Sequence, residues 1–432
     1  MSSGHMGGLT PSPERVLYFV LLQLVVIIAS ARTLGWLARK VGQPRSVGEI
    51  VAGLCLGPSL FGDLEPRPFA YVFGSAPHLP LVIMSQIGLT LLMFQIGMGF
   101  DFSHLREAAN GRATAIIATG SIIPPFLLGV ALGFYSQPRL APGIPVVPYS
   151  LFIGTAFAIT AVPILGRILM EYGLARTRIG AITISAAAVN DVVGWLLLLA
   201  VAAFASARFS LGAMVWRFVS LAFYLAMAFG VVKPLVRRLL ARLSWPEGSG
   251  LSPDVLALTL LLVFVSGMMT YEIGIYTIFG GFVMGVIVND NAEFVTRFRQ
   301  SVGDFIIVFF LPIFFTYAGL RADLTGIDNG ALWLWCAVIV LAATVGKGAG
   351  AYAGARIGGL DAASAVVVGA LMNTRGLMEL IVLNIGYSAG FIPRIVYTLL
   401  VVMAIVTTMA TGPVLRVFLP RSGHVIPKDI DA

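Results

Sequence analysis

Thirteen stretches of apolar residues, separated by short segments of charge, proline or glycine, account for nearly the whole chain. They run over about 16–38, 47–60, 81–100, 113–135, 149–171, 179–204, 211–240, 255–271, 276–288, 305–320, 331–355, 363–387 and 395–419. A helix needs roughly 20 apolar residues to cross the hydrocarbon of a bilayer, and most of these runs approach that length. The pattern predicts an all-α membrane protein of about 13 transmembrane helices, occupying residues 14–420. Residues 1–13 have no basic segment ahead of an apolar one and are expected to be a polar tail rather than a cleavable signal, with 421–432 as a second tail.

Composition agrees with the pattern: of 432 residues, 58% are hydrophobic and 11% charged, and the mean hydropathy is +0.94. No soluble domain is left over. The formal charge of +8 is spread over many short loops, so nucleic acid is excluded as a partner and the distribution reports orientation instead. Alternate loops after the first run hold nineteen Lys and Arg, beginning with Arg32, Arg39, Lys40 and Arg45, against seven in the other set. The C-terminus is therefore expected in the cytoplasm and the N-terminus outside, in a bacterial inner (plasma) membrane. Cys55 and Cys336 both sit in apolar runs, which argues for helix packing rather than a disulfide or a thiolate metal site. His5, His78, His104 and His424 all fall in tails or loops, so no histidine metal site is indicated. No nucleophile, phosphate loop or cofactor motif occurs, and neither enzymatic activity nor a cofactor is expected.

The two halves echo each other. Gly48, Gly53 and Gly57 in the second run recur as Tyr276, Gly281 and Gly285 in the ninth, and Gly97-to-Asp101 ending the third matches Gly319-to-Asp323 ending the tenth. A separation of seven runs reverses orientation, so the expectation is two inverted six-helix repeats, about 14–205 and 251–420, joined by a linker helix at 211–240. Runs five and twelve are then equivalent, and both are interrupted. Run five carries Pro163, which lacks an N–H and presses on the carbonyl of Ile159, and run twelve carries Asn373-Thr374-Arg375-Gly376. Pro163 alone is also compatible with a simple kink. Irregular backbone persists in a membrane only where it lines a cavity or packs within protein, so two crossing broken helices would form an oxygen-lined site.

Run six brings an Asn-Asp pair, Asn190-Asp191, to bilayer mid-depth, where a carboxylate is costly unless it meets a partner or water. Asp191 is the candidate ion site; the alternative is a protonated carboxyl hydrogen-bonded between helices. Asn190 either orients that site or holds a helix partner. Lys347, deep in run eleven, needs a carboxylate or several carbonyls, in a functional or a structural role. Arg375 and Glu379 stand four apart and are expected to pair with each other.

Together the segments TAVPILGRIL (160–169), SAAAVNDVVGW (185–195), FLPIFFTYAGLRADL (310–324) and NTRGLMELIVLNIG (373–386) resemble the membrane domain of the monovalent cation:proton antiporter-2 family, closest to the plant-type cation/H+ exchangers and then the Kef-type potassium efflux systems. The resemblance implies a sodium/proton-antiporter-like fold, a homodimer with a mobile core, and Asp191 binding cation and proton in turn. It further implies Asn190 as a signature neighbour, Thr160 as a cation ligand, and Lys347 as the basic residue of the core. Asn373, Thr374, Arg375 and Glu379 would support the crossing. The third run departs from the family pattern, ending Gly97-Met98-Gly99-Phe100-Asp101 where many members have Gly-Leu-Glu-Leu-Asp, so a second intramembrane acid is not expected there. Neither a nucleotide-binding domain nor a long tail follows run thirteen, and gating by glutathione or NAD is not expected.

The leading expectation is exchange of Na+ and/or K+ for H+, since proton and cation compete for one carboxylate. A single titrating acid in the Asn-Asp pair goes with electroneutral exchange in related antiporters, whereas a titrating Lys347 would make it electrogenic. The alternatives are a proton- or sodium-coupled exporter of a small organic solute on the same architecture, and a cation channel.

Overall fold

In a computed structural model of the protein, the described residues are 12–41, 43, 45–99, 108–205, 211–242, 250–274, 276–321, 327 and 330–425. The expected tails fall largely outside them, as do the Asp101 and Asp323 ends of the echo. Among the described residues every regular element is helical. We number the principal helices α1 Pro13–Lys40, α2 Arg45–Cys55, α3 Leu79–Gly99, α4 Ala108–Leu140, α5 Val146–Ala158, α6 Val162–Glu171, α7 Arg178–Ala205, α8 Leu211–Met227, α9 Pro253–Ile273, α10 Thr277–Val288 and α11 Leu311–Arg321. They continue with α12 Gly330–Ile357, α13 Ala362–Met372, α14 Leu377–Ser388 and α15 Arg394–Phe418.

Each of the thirteen apolar runs is helical over most of its length. Eight of the described helices are long and apolar enough to cross a membrane, or nine if the pair Ala292–Gly303 and Ile306–Arg321, bent by 45°, counts as one span. Length alone thus leaves the count of thirteen open. The runs that miss the criterion are the short second and ninth, the broken fifth and twelfth and, unless the bent pair counts as one span, the tenth.

Local chemistry sets the ends. Ser12 and Ser252 cap α1 and α9, each followed by a proline at the first turn, where a missing N–H costs nothing. Asp361 caps α13 through the N–H of Ser364 at 3.0 Å, and α9 ends on Gly274 at φ +88°, a left-handed position that suits glycine.

Packing comes in matched pairs: α1 on α2 and α9 on α10, α2 on α11 and α10 on α3, α5 on α7 and α13 on α15. The echoing glycines are the contact points. A Cβ on Gly53 would overlap the Phe315 carbonyl and one on Gly319 the Gly53 carbonyl, while on the other side Gly97 and Gly285 meet the carbonyls of Phe282 and Phe94. Small residues let helix backbones touch where no hydrophobic force between helices is available. Helices α4 and α12 cross in the same way at Gly120 and Gly350.

Candidate functional site

Run five breaks outright rather than kinking. Helix α5 stops at Ala158, Ile159 is extended at ψ 143°, and α6 restarts with Pro163 in its first turn. Run twelve breaks at Asn373, the C-cap of α13, and restarts after Gly376 at φ +70°. Only glycine suits Gly376, both for that φ and because a Cβ there would overlap Ile164 Cδ1 of α6. The two interruptions lie against each other: Ala161 N donates to the Thr374 carbonyl at 3.2 Å and Thr160 Oγ1 to the Met372 carbonyl at 3.3 Å.

The broken ends expose carbonyls, and cations from the second half of the chain take them. Arg375, fully buried, donates to Ala156 O at 2.7 Å, to Phe157 O at 2.9 Å and to Ala343 O at 3.4 Å. Lys347, also fully buried, donates to Ala158 O and to Ser121 O at 3.1 Å. Ser121 O is free because Pro125, four residues on, has no N–H to give it. Lys347 itself lies in a π turn, Val345–Ala349, an irregularity common at functional sites. The expected Arg375–Glu379 pair is present but long, 3.5 Å. Thr374 Oγ1 donates to Leu371 O at 2.7 Å, and the Arg375 N–H is held by Thr408 Oγ1 at 3.2 Å.

Asn190 and Asp191 reach the same crossing from α7. The Asn190 amide donates to Ser121 Oγ at 2.8 Å and to Thr160 Oγ1 at 3.2 Å. This orientation leaves Asn190 Oδ1 buried without a partner, and Asp191 Oδ1 and Asn373 Oδ1 are likewise unpartnered. Asp191 is 6% exposed and lies in the electrostatic field of Lys347, which also feels Arg375 and Glu379. Two cationic side chains and two acidic ones share this interior. Serine 121 was not anticipated from the sequence; the Pro124-Pro125 pair following it was the available signal.

A buried carboxylate and the unpartnered amide oxygens of Asn190 and Asn373, at the crossing of two broken helices, make the arrangement of a secondary ion transporter with a sodium/proton-antiporter fold. Over residues 26–420 the chain matches the family model described as "Sodium/hydrogen exchanger, transmembrane", and it belongs to that family. It is 36% identical over 416 residues to the Na(+)/H(+) antiporter NhaS4 of Synechocystis sp. (strain ATCC 27184 / PCC 6803 / Kazusa), covering 94% of this chain and 99% of that one. It is 34% identical over 420 residues to Cation/H(+) antiporter 17 of Arabidopsis thaliana, covering 97% of this chain but 50% of the plant protein, so it spans about half the length of such relatives. The sodium proton antiporter MjNhaP1 of Methanocaldococcus jannaschii shares the fold, with a TM-score of 0.65 at 15% identity over 94% of this chain and 98% of its own. The family is one of cation/proton antiporters, transporters rather than enzymes.

Proposed function

We propose that the protein exchanges a monovalent cation, Na+ and/or K+, for H+ by alternating access, with Asp191 holding either ion in turn. The observation that carries this is the buried, unpartnered Oδ1 of Asp191 next to Asn190, whose own Oδ1 is also unpartnered and whose amide is fixed on Thr160. Asn190 and Thr160 are the neighbouring oxygen ligands, and Lys347, Asn373, Thr374, Arg375 and Glu379 hold the crossing in shape. Lys347 already serves two carbonyls, which supports one cation for one proton with Asp191 as the only group exchanged. No cofactor enters this scheme. The paired packing of α2 on α11 and α10 on α3 supports two inverted repeats. The loop charges support a cytoplasmic C-terminus; thirteen crossings follow from the thirteen apolar runs, and a homodimer in a bacterial inner membrane from the family resemblance.

The test is proton movement in proteoliposomes loaded with a pH-sensitive dye. Addition of Na+, K+ or Li+ is expected to dissipate the acid interior, and Asp191→Asn to abolish the response while leaving the fold intact. Wild-type exchange by that variant would overturn the assignment. A response confined to organic solutes, or conductance without proton coupling, would select the exporter or the channel.

A further inference from the structure

Away from the crossing, on the face that carries the basic loops, the end of α6 meets the start of α2. Glu171 is the last residue of α6, a position where the helix dipole disfavours a carboxylate. It is held by other means. Its Oε1 accepts Arg167 Nε at 2.6 Å and the Ser46 N–H at 3.3 Å, and its Oε2 accepts the Ser46 hydroxyl at 3.4 Å. Ser46 is the second residue of α2, so Glu171 supplies, from another helix, an acceptor that the first turn of a helix needs.

One turn along α2, Glu49 is 1% exposed and neither of its carboxylate oxygens has a hydrogen-bond partner. The charged groups facing it are Arg167 and Glu171 from α6, Arg32 from α1 and Arg45 from α2 itself. Arg39 of α1 acts in turn on Arg45. Two carboxyls thus sit near one helix contact with opposite balances: Glu171 gains donors from it, whereas Glu49, which also packs against Gly35 of α1, is buried without any.

Helix α2 packs chiefly on α1 and α11, whereas α6 continues the span that runs through the crossing. We propose that Ser46, Arg167 and Glu171 form a latch between these two parts, closing the basic-loop face, and that Glu49 is the group water reaches when the latch opens. Glu171 favours the closed form and Glu49 the open one, which keeps the contact reversible. The proposal rests on the transport reading, because a latch here has a purpose only if the α5–α6 span moves against α2.

Hydrogen–deuterium exchange of the full protein in lipid nanodiscs tests it, read at the amides of residues 46–50 and 168–172. Glu171→Gln is expected to speed exchange at both about tenfold, the scale of a lost charge-assisted hydrogen bond. Glu49→Gln is expected to slow it about threefold, since a neutral amide is easier to keep buried. Should Glu171→Gln fail to fold, Ser46→Ala removes the hydroxyl donor while leaving every charge in place and is expected to speed exchange in the same sense. Unchanged exchange in Glu171→Gln, or faster exchange in Glu49→Gln, would overturn the latch. The same pair of opposite shifts is expected in the Asp191→Asn background, where transport is lost. Failure of the latch is therefore distinguishable from failure of the transport reading.

Discussion

Arg375 is the side chain whose loss the crossing should tolerate least. Its guanidinium reaches Ala156 O at 2.7 Å, Phe157 O at 2.9 Å and Ala343 O at 3.4 Å, with Glu379 at 3.5 Å, all at 0% exposure. Arg375→Met roughly conserves volume and leaves the α5 carbonyls and the Glu379 carboxylate with nothing to bond. Removing one partner of a buried ion pair costs about 3–5 kcal/mol, most of it the orphaned charge. Arg375→Met/Glu379→Leu removes that charge too and is expected to recover about half the loss, the remainder being the unsatisfied carbonyls. Denaturant unfolding of the purified protein in mixed micelles measures both variants. If the single variant is as stable as wild type, or the double variant is worse than the single, the carbonyl-capping role of Arg375 is wrong.

Further perturbations probe other parts. Gly319→Ala places a Cβ on the Gly53 carbonyl, 2.7 Å from Leu54 N; it should cost about 1–3 kcal/mol by the same unfolding measurement, as overpacking does. Ser121→Ala deprives the Asn190 amide of its 2.8 Å acceptor and should weaken cation binding about fivefold, while the orphaned N–H costs about 1 kcal/mol of stability in the same unfolding measurement. Asp361 lies outside the spans, and its hydrogen bonds from Ser364 hold its carboxyl below the usual range. Its contribution is therefore present in full above the ordinary carboxylate range and is lost as pH falls below that range through the lowered value. Asp361→Ala should cost about 1 kcal/mol at neutral pH, a difference that shrinks in unfolding experiments at low pH.

The crossing was legible because its causes are local. Pro163 and the Asn373–Gly376 stretch interrupt apolar runs whatever surrounds them, and the recurrence of Gly53, Gly57 and Gly97 as Gly281, Gly285 and Gly319 marks places where backbones must touch. What spacing cannot show is which groups from distant helices meet. Arg375 and Glu379 were paired by their separation of four, yet the shorter bonds of Arg375 go to Ala156 and Phe157, some 219 residues away for the first. Lys347 was placed at depth, but its carbonyl partners belong to α4 and α5. Ser121 looks like any small residue of an apolar helix until the proline four positions on is seen to free its carbonyl. Glu49 was not singled out in the sequence, because nothing in its own run reveals which groups from other helices surround it.

Proton release on cation addition tests the exchange site most directly. Purified protein in detergent, weakly buffered with a pH indicator, is titrated with NaCl or KCl and compared with choline chloride. Competition at one carboxylate predicts that wild type releases a proton for each cation bound and that Asp191→Asn, equally folded, releases none. Equal proton release by Asp191→Asn, or cation binding by wild type with no release, would contradict the account.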